Sequence, residues 1–117
     1  MTKLEMNAGP LVSVVIASYN HATYVRDCLE SVLTQTWQNF EIVITDDGSV
    51  DETASIIRGI DDSRIQLDVF AQNRGACIAF NHAIRRASGR YIAVLNSDDR
   101  FLPHKLQRQV EFLEENP

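Results

Sequence analysis

Four times along 117 residues, a short run of β-branched and apolar residues gives way to a segment with helical spacing. A chain written this way folds into right-handed βαβ units, giving a parallel sheet with helices on both faces. The runs are Leu11 to Ala17 (LVSVVIA), Phe40 to Thr45 (FEIVIT), Ile65 to Phe70, and Tyr91 to Leu95 (YIAVL). The first is apolar at nearly every position, as expected of a strand covered on both faces. After it, Tyr24, Val25, Cys28, Leu29, Val32 and Leu33 form one helical stripe, with Asn20 as the expected N-cap. After the second run, Ser49 and Glu52 have capping-box spacing ahead of a helix that buries Ala54, Ile57 and Ile60 and ends near Gly59. Trp37 and Phe40 are expected to pack under the entry to the second strand. The third helix carries Ala76, Ala79, Phe80, Ala83, Ile84 and Ala87 on one face, with Gly89 just past its end. Pro103 suits the first turn of a last helix, with Leu106, Val110 and Leu113 inward.

The expected fold class is therefore α/β: a Rossmann-like, mainly parallel four-stranded sheet with helices on both faces. Residues 11–117 form the expected domain. Residues 1–10, MTKLEMNAGP, read as a flexible lead-in without the apolar run of a signal peptide.

Composition narrows the function classes. Hydrophobic residues make up 44% and charged residues 23%, which excludes disordered and low-complexity classes. No stretch approaches the roughly 18 apolar residues that span a bilayer. Eleven Lys and Arg against sixteen Asp and Glu give a net charge of −5, so nucleic acid is not an expected partner. An anionic ligand such as a nucleoside diphosphate would need positive charge from elsewhere, most simply from a divalent cation. Cys28 and Cys77 have neither metal nor redox spacing and read as buried, reduced thiols of a cytoplasmic protein.

In open parallel sheets, ligands bind outside the carboxyl ends of the strands. Tyr19-Asn20, Asp46-Asp47, Asn73-Arg74 and Asp98-Asp99 each follow a strand, so they should gather on one edge. Asp98 and Asp99 repel one another unless a proton or cation intervenes, and Mg²⁺ or Mn²⁺ with substrate phosphates resolves this. The plainer reading of that pair is a solvated turn capping the last helix. A carboxylate in Asp46-Asp47-Gly48-Ser49 could accept from a uracil imide N–H or from ribose hydroxyls, with Gly48 allowing a tight turn. Its plainer reading is helix capping. Tyr19 could stack on a base or be a rim aromatic, and Arg74 could steady a base or phosphate or be a solvated loop charge. His21, His82 and His104 are not spaced as metal ligands. The chain has no Gly-x-Gly-x-x-Gly, Walker-type or Gly-x-Ser-x-Gly motif, which argues against dinucleotide dehydrogenases, P-loop NTPases and serine hydrolases. A phosphoacceptor receiver domain would need an acceptor Asp where the third strand ends in Phe70-Ala71-Gln72, and a fifth strand.

From about Val12 to Pro117, the blocks VSVVIASYN, SVLTQTWQNFEIVITDDGSVDET, NRGACIAFNHAI and SGRYIAVLNSDDRFLP stand in order at the strand ends. On these blocks the chain resembles the N-terminal, nucleotide-sugar-binding half of a family 2 glycosyltransferase with the GT-A fold. The resemblance implies that Ala17 and Tyr19 line the base of a uridine-type nucleotide, and that Asp47, with Asp46, reads the uracil. Arg74 falls near a base-contacting position. Asn96, Ser97, Asp98 and Asp99 match the Asp-x-Asp block, where Ser97 and Asp98 would meet the nucleotide and Asp98 and Asp99 would hold Mn²⁺ or Mg²⁺. Many members carry an acid where this chain has Asn96. The reaction implied is inverting transfer of a sugar from a nucleoside-diphosphate sugar to an acceptor hydroxyl, in polysaccharide or glycolipid synthesis. The implied general base lies beyond Pro117, so 117 residues alone are expected to be inactive. The implied location is the cytoplasm or the periphery of the inner membrane face. A non-catalytic nucleotide-binding module is the alternative. An open sheet edge would favour a homo-oligomer.

Overall fold

The computed structural model describes residues 9–116. Strands β1 (Val12–Ser18), β2 (Phe40–Asp46), β3 (Ile65–Val69) and β4 (Tyr91–Asn96) alternate with helices α1 (Val25–Leu33), α2 (Thr53–Arg58), α3 (Ala76–Arg86) and α4 (Lys105–Glu115). The strands form one sheet in the order β3-β2-β1-β4, and every neighbouring pair is parallel. Ser18 pairs with Asp46, Ala17 with Asn96, and Asp46 with Val69. The carboxyl ends of all four strands therefore finish level. The chain crosses from β3 to β4 over the two inner strands, so the direction of winding reverses beside β1. That is where an open α/β sheet leaves a crevice.

Side-chain alternation sorts the core onto two unequal faces. Val14, Ile16, Ile42 and Ile44 point to one face, where they pack with Cys28 and Leu29 of α1, Ile57 of α2 and Leu106 and Val110 of α4. Each fully buried Leu or Ile there contributes about 1.5–3 kcal/mol by leaving water. Trp37 and Phe40 are buried in this layer, as expected for the entry to β2. On the opposite face α3 alone covers β1 and β2, packing Ala83 and Phe80 against Val15 and Val43. It leaves Ile92 and Val94 of β4 at 47% and 56% exposure.

The α3 face is also partly polar. Glu41 is buried at the amino end of β2. Its Oε2 accepts from the Ser13 hydroxyl (2.5 Å) and the Ser88 backbone N–H (2.7 Å). Its Oε1 accepts from the Ser88 hydroxyl and Gln66 Nε2. Burial alone would raise this carboxyl, but the four donors together outweigh it and hold it below the usual glutamate range. Gly89 donates to the Ser13 hydroxyl, and a Cβ on Gly89 would lie 2.5 Å from that same oxygen.

Several expectations need correction. Asn20 does not cap α1. That helix begins at Val25 after a turn in which the His21 carbonyl accepts from the Tyr24 and Val25 N–H groups. Ser49 and Glu52 form no capping box. Asp51 Oδ1 accepts from the Thr53 backbone and hydroxyl, while Ser49 bonds to Asp46. Cys77 is exposed, on the outward side of the first turn of α3; only Cys28 is buried. Pro103 precedes α4, and Ile84 and Leu113, expected inward, are each 37% exposed. The expected lead-in 1–10 lies outside the described residues apart from Gly9 and Pro10. The Gly9 carbonyl accepts from Asn39 Nδ2 (2.6 Å). No helix among the described residues is long and apolar enough to cross a membrane.

Candidate functional site

Three loops meet at the carboxyl end of the sheet, and carboxylates hold them together. Asp46, the last residue of β2, is fully buried. Its carboxylate accepts from the Ser18 hydroxyl (2.7 Å), the Ser49 N–H (2.8 Å) and the Ser49 hydroxyl (2.7 Å). Asn20 sits next to this knot with φ of 51°, the left-handed region that Asn tolerates better than most residues. It donates its N–H to the Ser49 hydroxyl and accepts at Oδ1 from the Val50 N–H. The loop after β1 is thereby pinned to the loop after β2.

Asp47 performs the same service for the third loop. Its Oδ1 accepts from the Arg74 N–H (2.7 Å), and its Oδ2 from the Gly75 N–H (3.0 Å) and Asn73 Nδ2 (2.9 Å). Gly48 follows at φ of +75°, and a Cβ there would sit 2.6 Å from the Gln72 carbonyl carbon. Gly48 thus lets two loop backbones touch.

A cavity of about 490 Å³ opens between these loops and the end of β4. Ala17, Tyr19, Asp47, Ser97 and Asp98 line it, so five residues drawn from three strand ends face one space. Asp47 and Asp98 share it although β2 and β4 flank β1 on opposite sides. Tyr19 is 41% exposed at the rim. Asn73, expected on this edge, also lines the cavity, as do His21, Gly75 and Phe80, which no sequence pattern had placed there. His21 Nδ1 lies 2.6 Å from the Ser97 hydroxyl, and its Nε2 lies 4.0 Å from Asp98 Oδ2. Its place directly after Tyr19-Asn20 was the one available signal.

Three expected site residues lie elsewhere. Asp46 is spent inside the loop knot and does not line the cavity. The Arg74 guanidinium lies 5.0 Å from the Phe70 ring centroid, so only its backbone serves the site, through Asp47. Asp99 lines a second, adjoining cavity, and Asn96 forms part of the wall of both. Beneath the turn, the Cys28 thiol points 3.6 Å from the Asn96 carbonyl. Burial first, then the Asp99 and Asp98 charges, push that thiol up to about 12, so it stays protonated at neutral pH. Among the described residues no cluster of three or more His, Cys, Asp or Glu could by itself cage a metal. Asp98 and Asp99 are exposed, hard oxygen donors, which suits a cation that takes its remaining ligands from water and substrate phosphate.

Residues 13–117 match the family model described as glycosyl transferase family 2. The chain belongs to that family. This family 2 chain is 43% identical over 111 residues to the putative teichuronic acid biosynthesis glycosyltransferase TuaG of Bacillus subtilis, covering 93% of itself and 44% of TuaG. It is 45% identical over 104 residues to WfaP of Escherichia coli, a UDP-Glc:alpha-D-GlcNAc-diphosphoundecaprenol beta-1,3-glucosyltransferase, covering 89% of itself and 41% of WfaP. It thus spans less than half the length of either relative. Among solved structures, residues 1–349 of S. aureus TarS in complex with UDP superpose with a TM-score of 0.83 at 27% identity, over 89% of this chain and 32% of that one. The mannosyltransferase PcManGT from Pyrobaculum calidifontis, in complex with GDP-Man and Mn²⁺, gives 0.74 at 26% identity, over 82% and 30%. The fold of this glycosyltransferase chain is the GT-A fold.

Proposed function

We propose that this chain is the donor-binding part of an inverting glycosyltransferase that takes a sugar from a UDP-sugar and acts in cell-surface polysaccharide or glycolipid synthesis. The observation that carries the reading is the meeting of Tyr19, Asp47 and Asp98 on one cavity at the winding reversal of the sheet. TuaG and WfaP bear names from cell-surface glycan synthesis, and TarS has been solved with UDP, which supports the substrate class.

Each residue's part follows from its chemistry. The Tyr19 ring at the rim gives a uracil a face to stack on. Asp47 keeps lone pairs beyond the three bonds it accepts, and those can take an imide N–H. Because its loop bonds fix the carboxylate, little order is lost when a base arrives. Ser97 and Asp98 face the same cavity and are placed to meet the ribose and diphosphate. Asp98 and Asp99 would hold Mn²⁺ or Mg²⁺, whose chemistry when bound is to offset charge on a leaving diphosphate. Among the described residues, no Lys or Arg lines the donor cavity to do that task. The acceptor hydroxyl must lose a proton, and both carboxylates of the donor cavity are otherwise committed, Asp47 to its loop bonds and the uracil and Asp98 to the cation.

A crystal soaked with UDP and Mn²⁺ tests the reading. Uracil against Tyr19 and Asp47, with diphosphate beside Asp98, is expected. Nucleotide bound anywhere else refutes it.

A further inference from the structure

The end of α1 buries two polar side chains that apolar packing does not explain. Ser31 is 6% exposed, and Gln35, just past the helix, is 2% exposed. Buried hydroxyls and amides keep hydrogen-bond partners, so their partners say what they serve. The Ser31 hydroxyl donates to the Cys28 carbonyl (2.6 Å) and accepts from the Phe101 N–H (3.0 Å). Gln35 Nε2 donates to the carbonyls of Ser31 (3.0 Å) and Leu102 (2.6 Å), and Gln35 Oε1 accepts from the Leu106 N–H (3.0 Å). Beside it, the Thr36 N–H donates to the Pro103 carbonyl (2.9 Å). Every one of these bonds that leaves α1 goes to the segment between β4 and the first turn of α4. The N-cap residue of α4, His104, makes no side-chain cap bond. Gln35 thus serves an otherwise orphaned N–H of a helix 71 positions away. Only one orientation of its amide works, because a flipped amide would set Oε1 against two carbonyls.

The segment so held carries Asp98 and Asp99. Both are exposed, and their own side chains do little to fix them. Asp98 Oδ2 lies 4.0 Å from His21 Nε2, and Asp99 Oδ1 accepts from the N–H of the next residue, Arg100. Their place is set through the backbone. On one side, the Asp99 N–H closes on the Asn96 carbonyl at the end of β4, and Cys28 Sγ stands 3.6 Å from the same oxygen. On the other side, the chain is tied to Ser31 at Phe101, itself buried in the core. We propose that Gln35 and Ser31 are positioning residues for Asp98 and Asp99, acting from α1 through the backbone of residues 101–106. The assignment rests on the donor reading above for what the two carboxylates do. Adjacent carboxylates repel, and a turn fixed at both ends keeps them together before a cation arrives. That order is established on folding, so it is not lost again on binding. Neither Gln35 nor Ser31 lines the donor cavity, so their part is to hold the turn from beneath.

Four variants separate positioning from plain stability. Gln35→Met keeps the length of the side chain and removes its bonds, and Ser31→Ala removes only a hydroxyl. Ser31→Thr keeps that hydroxyl. Glu41→Gln disturbs a buried network at the opposite end of the sheet. Amide resonances of the nucleotide-free chain, and UDP titrations with and without Mn²⁺, are recorded for each well below its Tm. In Gln35→Met and Ser31→Ala, the amides of Ser97, Asp98 and Asp99 are expected to move, although none of them bonds to either residue. UDP affinity with Mn²⁺ should fall about fivefold or more in both, and affinity without Mn²⁺ should stay within about twofold of the parent. Ser31→Thr should restore the Mn²⁺-dependent affinity to within about twofold. Glu41→Gln should lower Tm and leave both readouts as in the parent. If Gln35→Met does not fold, the two Ser31 variants decide. The proposal is overturned if the Ser97, Asp98 and Asp99 amides stay in place in Ser31→Ala. It is also overturned if the loss of affinity is equal with and without Mn²⁺, or if Glu41→Gln shows the same loss. A parent that binds UDP no better with Mn²⁺ would count against the donor reading. The amides of the nucleotide-free variants would then still decide whether Gln35 and Ser31 hold the turn.

Discussion

His21 Nδ1 and the Ser97 hydroxyl, 2.6 Å apart, join the loop after β1 to the turn after β4. Ser97 is 1% exposed, so the hydroxyl has little water to turn to if its partner is removed. The bond sets the orientation of the turn that carries Asp98. His21 is thus a positioning residue, and its own backbone is held by the Thr53 hydroxyl.

Replacing His21 with Ala should therefore weaken UDP binding about two- to twelvefold, the range expected for one lost bond of about 0.5–1.5 kcal/mol. His21→Asn, which keeps a polar group near Ser97, should recover part of the loss. Calorimetric titration of the two variants with UDP checks this. Equal affinity in parent and Ala variant would remove His21 from the account.

The adjacent carboxylates Asp46 and Asp47 should separate cleanly. Asp46 is buried and accepts three bonds from the loop knot, so Asp46→Asn should cost about 1–3 kcal/mol of stability. Asp47 is buried and bonded too but faces the cavity, so Asp47→Asn should, besides a similar cost in Tm, lower UDP affinity tenfold or more. Thermal melts and UDP titration of both variants are the measurements. Identical profiles would contradict the division.

Glu41 should contribute to the fold's pH dependence in acid. Its folded carboxyl lies below the ordinary glutamate range because Ser13, Ser88 and Gln66 donate to the charged form against the cost of burial. Its stabilisation is therefore fully present above the unfolded glutamate's titration and is lost as pH falls through the lower, folded value. Asp68, lowered first by the His82 bond, adds in the same direction. Urea melts between pH 7 and pH 3 should show stability falling with acid, and Glu41→Gln should flatten the fall. An unchanged slope in that variant would show that the network does not carry it.

Sequence periodicity carried the frame well. Apolar alternation and helical stripes identify all four strands and helices, because burial on a pleat or a helix face has a fixed spacing. The rule that strand ends converge was enough to bring Asp47 and Asp98 together. What the sequence hid is loop-to-loop bonding. Asn20 and Ser49 have the residue types and local spacing of helix caps, yet they bond to each other across 29 positions. No local pattern distinguishes those two uses of a short polar side chain. Asp46 was misjudged for the same reason: neighbouring carboxylates look alike in one dimension, and only the direction of the pleat sends one into the loop knot and the other into the cavity.

Gly48 tests the contact between the second and third loops. Its φ of +75° and the 2.6 Å approach to Gln72 leave no room for a methyl group. Gly48→Ala should cost about 1–3 kcal/mol and weaken UDP binding, since the Asn73–Gly75 loop must retreat from Asp47. Hydrogen exchange at the Arg74 and Gly75 amides, which both donate to Asp47, should speed up. Unchanged exchange there would show that the loops do not depend on this contact.

The central claim is that carboxylates from separate strands share one nucleotide site that needs a divalent cation. Calorimetric titration of the chain with UDP, with and without Mn²⁺, and again in Asp98→Asn, tests it most directly. The account predicts binding with Mn²⁺, at least tenfold weaker binding without it, and little difference between the two conditions in the variant. Absence of heat under both conditions, or an Asp98→Asn protein that binds UDP with Mn²⁺ as tightly as the parent, would contradict it.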